Sequence, residues 1–174
     1  MKKCILIGIP GCGKTTLGML AAEKLKIPFF DTDKMFLERI SLLNPADIFK
    51  MAVNGRFISE QKNIMSELSN FKRSAIISTG AEVGLIPESA ALMKEMGTVI
   101  HIQRKYKNAL SDIEKSRKSD LVFCVNGKAV NHHKDMLSNY MNDINLYKEA
   151  ADLSFENNGT IEEGLEKLLC LLRE

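Results

Sequence analysis

Residues Gly8-Ile9-Pro10-Gly11-Cys12-Gly13-Lys14-Thr15 spell G-x-x-x-x-G-K-T, and few folds can carry such a loop. The pattern needs a buried strand before it and a helix after it. Cys4-Ile5-Leu6-Ile7 is an apolar run suited to a buried parallel strand. Leu17, Leu20, Ala21 and Leu25 recur at helical spacing between Thr16 and Leu25. Glycines let the backbone curl so that successive N–H groups face an anion, and the helix N-terminus adds partial positive charge. The cofactor-binding set is therefore expected to be Gly11, Cys12, Gly13, Lys14, Thr15 and Thr16. Lys14 can reach the outer phosphates of a nucleoside triphosphate, and the Thr15 hydroxyl suits Mg2+. Cys12 fills a variable position of the loop with no base suggested nearby, so it reads as filler and not as a nucleophile.

The rest of the chain alternates strand-like and helix-like segments. Ile27 to Asp31 reads as a short second strand ending in Asp31-Thr32-Asp33, and residues 34–41 read as a helix. Asn44-Pro45-Ala46-Asp47 turns into a short helix through Met51, which Asn54-Gly55 breaks. A longer helix is expected from Phe57 to Phe71, with Phe57, Ile58, Ile64, Met65 and Leu68 as its apolar stripe. Ser74 to Ser78 is a third strand, followed by the loop Thr79-Gly80-Ala81-Glu82. A helix over 88–96 closed by Gly97, a strand over Thr98–Ile102 and a helix from Tyr106 to Ser116 come next.

Residues 115–134 are polar, basic and irregular, too long for a simple connection, and are expected to form a lid over a ligand. A helix over 135–149, a fifth strand over Ala151–Phe155 and a final helix complete the chain. Thr160 and Glu163 stand three apart, as in a capping box, at the start of that last helix. This alternation predicts a three-layer α/β/α fold of the P-loop NTPase kind, a parallel sheet with its ligand at the carboxyl ends of the strands. The phosphate loop, the Asp31/Asp33 pair and the Thr79–Glu82 loop all follow strands, so all three should converge on one cleft.

The chain of 174 residues is expected to be one domain, 1–174, large enough for its own core at 45% hydrophobic content. Its formal charge of +2, with both signs interspersed, speaks against nucleic acid as a partner. No stretch approaches the roughly 18 apolar residues a membrane span requires, and the loop interrupts the N-terminal run too early for a signal peptide. The four cysteines fit no zinc spacing, with Cys4 and Cys170 read as core positions, and a reducing cytoplasm is expected. His132-His133 has no partner at a fixed spacing and reads as lid surface. A monomer or weak dimer is expected.

A phosphate loop alone does not separate a switch, a motor and a kinase. The short chain and the acidic pair favour a kinase of a small molecule. A carboxylate beside the transferred phosphate can orient an acceptor hydroxyl, accept its proton or hold Mg2+. Either aspartate can instead cap the helix that follows. Asp33 is assigned to the chemistry and to acceptor binding, and Asp31 to the metal together with Thr15. Lid cations are expected to meet the nucleotide phosphates, with Arg117 chosen as catalytic alongside Lys14 and Asp33, and Lys115 and Lys118 as further candidates.

Together these residues resemble the shikimate kinase family over nearly the whole chain. The loop Gly8–Thr16 with Gly18 and Leu20 is similar to its opening, and Ile27 to Asp33 carries its D-[ST]-D signature. Ile77-Ser78-Thr79-Gly80 resembles its T-G-G-G segment, and Leu146 to Asp152 its late L-Y-x-x-x-A-D segment. The resemblance implies a five-stranded parallel sheet of nucleoside-monophosphate-kinase type, Mg-ATP as donor, and a lid. The departures fall on the acceptor side. Where the family has an Arg after a Phe, Ile58 follows Phe57, with Arg56 next door. The triple glycine becomes Gly80-Ala81-Glu82, and the Arg four residues before the late Tyr becomes Asp143. The lid's R-P-L-L becomes Ser119-Asp120-Leu121-Val122, with Arg117 and Lys118 slightly upstream.

Two lost charge-assisted hydrogen bonds would cost about 10²–10⁴ in affinity for an anionic acceptor. The acceptor site is expected to include Asp33, Arg56, Gly80, Ala81, Glu82 and Asp143, and to take a small hydroxylated molecule that is neutral or amine-bearing instead of shikimate. The alternatives are a shikimate kinase with an unusual pocket, in which Arg56 and Arg117 do the gripping, a nucleotide kinase, and a nucleotide-binding regulatory module without kinase activity.

Overall fold

The computed structural model describes residues 3–43, 56–115, 123–125, 128–130 and 133–173. Five strands form one sheet: β1 (Lys3–Ile7), β2 (Phe29–Asp31), β3 (Ile76–Ser78), β4 (Gly97–Gln103) and β7 (Leu153–Glu156). Their spatial order is β2-β3-β1-β4-β7, and every neighbouring pair is parallel. The helices are α1 (Lys14–Leu25), α2 (Thr32–Ile40), α3 (Arg56–Asn70), α4 (Pro87–Met96), α5 (Tyr106–Lys115), α6 (His133–Asn142), α7 (Ile144–Ala150) and α8 (Ile161–Leu171). A parallel sheet needs a crossover between paired strands, and these helices supply it. The expected five-stranded α/β/α architecture is the observed one.

The central strand β1 is buried along its whole length. Cys4, Ile5, Leu6 and Ile7 of β1 are all at most 1% exposed, which is why they read as an unbroken apolar run. Ile64, Met65 and Leu68 of α3 join the same core. Ile58, placed in the apolar stripe from sequence, is instead 38% exposed. Cys170, read as core, is also exposed: its neighbours Leu168 and Leu169 carry the inner face of α8. β4 starts directly at Gly97, because a Cβ there would lie 2.0 Å from the Lys3 carbonyl oxygen across the β1–β4 register.

Three further boundaries differ from the sequence reading. The helix expected over 135–149 breaks at Asp143, whose φ of −95° and ψ of 14° separate α6 from α7. The Thr79–Glu82 loop tightens into a 3-10 turn, Ala81–Leu85. Within the stretch read as irregular, β5 (Phe123–Val125) and β6 (Lys128–Val130) pair antiparallel, with Val125 opposite Lys128. That register spaces the strands by Asn-Gly, a hairpin signal that periodicity over three-residue strands is too short to reveal. The short helix expected near 45–51 lies outside the described residues, as do Arg117, Lys118, Ser119, Asp120, Leu121, Val122 and His132. Thr160 and Glu163 form the expected capping box at the start of α8.

Candidate active site

β1 delivers the phosphate loop to the carboxyl edge of the sheet, and α1 leads away from it. Gly8, Gly11 and Gly13 take φ values of 142°, 73° and 103°. Gly13 is the N-cap of α1, and a side chain there would be held in a left-handed conformation at about 1–2 kcal/mol. Lys14 is 8% exposed, and its ammonium donates to the carbonyls of Gly8 at 2.7 Å and Ile9 at 3.0 Å. The cation thus spans its own loop, over the ground where an anion's oxygens can replace the carbonyls. Thr15 is half-buried beside it and Thr16 is exposed.

Asp31 ends β2 and caps α2. Its Oδ1 accepts from the backbone N–H of Asp33 and of Lys34, both at 3.1 Å. Its Oδ2 accepts from the Thr15 hydroxyl at 2.7 Å, and Ser78 Oγ at the end of β3 lies 3.5 Å from the same hydroxyl. The two metal candidates are therefore in contact. A hydroxyl and one carboxylate beside a phosphate cradle make an all-oxygen donor set that fits Mg2+, which is held mainly by substrate phosphates and water. Ser78 was read only as a strand residue, because nothing local distinguishes a serine at the carboxyl end of a strand from one in mid-strand.

The capping role falls to Asp31, which leaves Asp33 for other work. Asp33 is exposed in the first turn of α2. Thr32, only 2% exposed, accepts from the Gly80 N–H at 2.8 Å and ties β3's outgoing loop to α2. Asp33 consequently lies against Gly80: a Cβ there would sit 2.4 Å from Asp33 Oδ1. Glu82 follows two residues later. Its Oε1 is buried and has no hydrogen-bond partner among the described residues. Burial first, and the Asp33 charge second, push the Glu82 carboxyl up to about 7.

This shift has a stability consequence. In the unfolded chain Glu82 ionises near its ordinary value, and in the folded protein only near 7. Between those two pH values the folded state holds the extra proton, so its stability falls as pH rises. Glu82→Gln is expected to raise the melting temperature at pH 8 and to leave it unchanged at pH 4. Thermal unfolding at the two pH values reads this, and an equal change at both would place Glu82 in water.

Two buried rings connect this turn to the phosphate loop. Tyr147 of α7 is fully buried and donates to the Ala81 carbonyl at 2.9 Å. Burial pushes its phenol well above the ordinary range, with Tyr140, Cys12, Asp143 and Glu82 adding to it. Asp143 and Glu82 thus both act on one phenol. Stacked on Tyr147, with centroids 5.4 Å apart, is His101 of β4. Its imidazole is fully buried and neither nitrogen has a partner among the described residues. Burial, then the charges of Lys14 and Lys148, hold His101 down to about 4, so it is neutral at pH 7. Asp143 is half-buried at the α6–α7 break. Arg56 is exposed at the first residue of α3, and no ion pair among the described residues joins it to Glu82. Tyr147 was marked in the sequence only as the Tyr of the late L-Y-x-x-x-A-D segment, with nothing to show its bond to Ala81, and His101 carried no signal beyond its place in a strand.

A family model described as shikimate kinase matches residues 10–173. The chain belongs to the shikimate kinase family. It is accordingly an ATP-dependent small-molecule kinase that works with Mg2+. The shikimate kinase of Enterococcus faecalis is 29% identical over 175 residues, covering 100% of both chains. The structure of a shikimate kinase from Acinetobacter baumannii in complex with shikimate matches at a TM-score of 0.80 and 23% identity, covering 99% of this chain and 93% of that one. A shikimate kinase from Bacteroides thetaiotaomicron matches at a TM-score of 0.80 and 22% identity, over 100% of both chains. At these identities the two structures speak for the fold.

Proposed function

We propose that this family member phosphorylates a hydroxyl of a small polyol that is neutral or carries an amine. When bound, Mg-ATP supplies the phosphoryl group. Gly11, Cys12, Gly13, Lys14, Thr15 and Thr16 would hold its phosphates, and Thr15 with Asp31 its metal. Asp33 orients the acceptor hydroxyl and takes its proton. The stretch around 115–134 closes over both substrates, and Arg117 meets the phosphates.

The observation that carries the acceptor class is Glu82. A carboxyl with a buried, unpartnered oxygen sits beside Asp33 and Gly80, where an anionic acceptor would have to approach. An ammonium or hydroxyl donor would satisfy that oxygen, whereas a carboxylate would meet the like charge of Asp33 and of the ionised share of Glu82, which grows as pH rises through about 7. Ile58 and Asp143, in place of two arginines, offer no cation to offset it. The second reading, shikimate itself, is favoured by the family match and by the relative bound to shikimate.

Turnover of ATP with shikimate, set against a panel of neutral polyols and amino alcohols, separates the two. Stimulation by shikimate alone would overturn the neutral or cationic acceptor. The double change Glu82→Gly with Asp143→Arg is expected to lower the KM for shikimate by about tenfold or more, through removed repulsion and one regained ionic hydrogen bond. No change in that KM would mean these positions do not line the acceptor site.

A further inference from the structure

Asn157 follows β7 and stands 145 residues from Cys12 in the chain, yet its Nδ2 donates to the Cys12 carbonyl at 2.9 Å. It is 6% exposed. Its own main chain is fixed from two directions. Its N–H donates to the Gln103 carbonyl at the end of β4 at 2.8 Å, and its carbonyl accepts from the Arg104 guanidinium. Arg104 in turn pairs with Asp112 of α5. The side-chain amide is wedged between two glycines. A Cβ on Gly13 would sit 2.6 Å from Nδ2, and one on Gly164 of α8 2.4 Å from Oδ1.

Geometry gives this hydrogen bond a direction. A trans peptide is planar, with its C=O and N–H pointing to opposite sides. The peptide joining Cys12 to Gly13 has its carbonyl held outward, toward β7 and α8, by Asn157. Its N–H, that of Gly13, must then point the other way, into the loop. No acceptor among the described residues takes that N–H. That leaves a half-buried backbone donor aimed into the loop, and an anion seated there would satisfy it.

We propose that Asn157 is a positioning residue for the donor phosphates: by holding the Cys12 carbonyl it aims the Gly13 N–H at them. The proposal rests on the phosphate-loop reading above. Asn157→Asp keeps the shape but sets a carboxylate oxygen against the carbonyl oxygen, which turns the peptide away. Asn157→Ala removes the hold without repulsion. Both variants are expected to weaken Mg-ATP binding, read by titration calorimetry on the folded protein, by about tenfold or more, the Asp variant most. The KM for acceptor should stay unchanged, a split that a merely structural role would not produce.

Lys14→Met serves as the reference. If it abolishes ATP binding while both Asn157 variants bind within twofold of the parent, the proposal is overturned and the loop assignment stands. If Lys14→Met also binds normally, the loop assignment falls and the proposal with it. Should Asn157→Asp not fold, Asn157→Ala alone decides by the same criterion.

Discussion

Replacing Lys14 with alanine or methionine should lower kcat/KM by about 10²–10³-fold or more, the usual cost of removing a donor aimed at charge that develops in the transition state. The ammonium is nearly buried and already bonded to the Gly8 and Ile9 carbonyls. An ammonium has three N–H groups, so it can bridge loop and phosphates together. Methionine keeps the buried stem and removes only the charge, which separates a packing loss from a chemical one. Steady-state kinetics and a melting curve on each variant are the measurements. Transfer that survives in a well-folded Lys14→Met protein would remove the loop from the chemistry.

Asp33→Asn should cut kcat by about 10²–10⁴-fold, the usual range for a lost general base, while ATP binding stays close to that of the parent. The asymmetry follows from how the two aspartates divide. Asp31 contacts Thr15 and caps α2 through two N–H groups. Asp33 is instead exposed against Gly80 and acts electrostatically on Glu82. Asparagine retains the size and a hydrogen-bonding oxygen but cannot accept the proton. Unchanged turnover would reduce Asp33 to a first-turn acid, stabilising α2 by a few tenths of a kcal/mol up to about 1 kcal/mol through the helix dipole. A parallel loss of ATP affinity would place Asp33 on the donor side.

Glu82 links these variants to the acceptor question. Its carboxyl titrates near 7 because it is buried beside Asp33. Removing the Asp33 charge should therefore lower the Glu82 value, and the pH profile of acceptor KM should move with it. The Tyr147 hydroxyl, held to the Ala81 carbonyl, keeps this turn in register with the phosphate loop through the stacked His101.

Local chemistry made much of this protein legible in advance. A glycine-rich loop between an apolar run and a helical stripe has one mechanical reading, since phosphate binding needs converging N–H groups at a helix start. Strand-helix alternation implies a parallel sheet because parallel strands need crossovers, and that alone brings Thr15, Asp31, Asp33 and Gly80 to one edge. The Thr160–Glu163 box was legible for the same reason: both partners lie within one turn.

Other features depended on residues far apart in the chain. Which aspartate caps and which faces Gly80 depended on the path of α2 relative to β3. Ile58 and Cys170 were misplaced because hydrophobicity marks an apolar residue without saying which side of its helix finds a neighbour. The break at Asp143 interrupts a stretch with continuous helical spacing. Nothing within a few residues of Asn157 marks its role, because its bond to Cys12 joins opposite ends of the chain. Sequence by itself determined the elements and the donor chemistry, because those rest on spacing within a few residues. Tertiary structure alone decided burial, the roles of like residues and the aim of individual peptide groups, because those rest on contacts between segments distant in sequence.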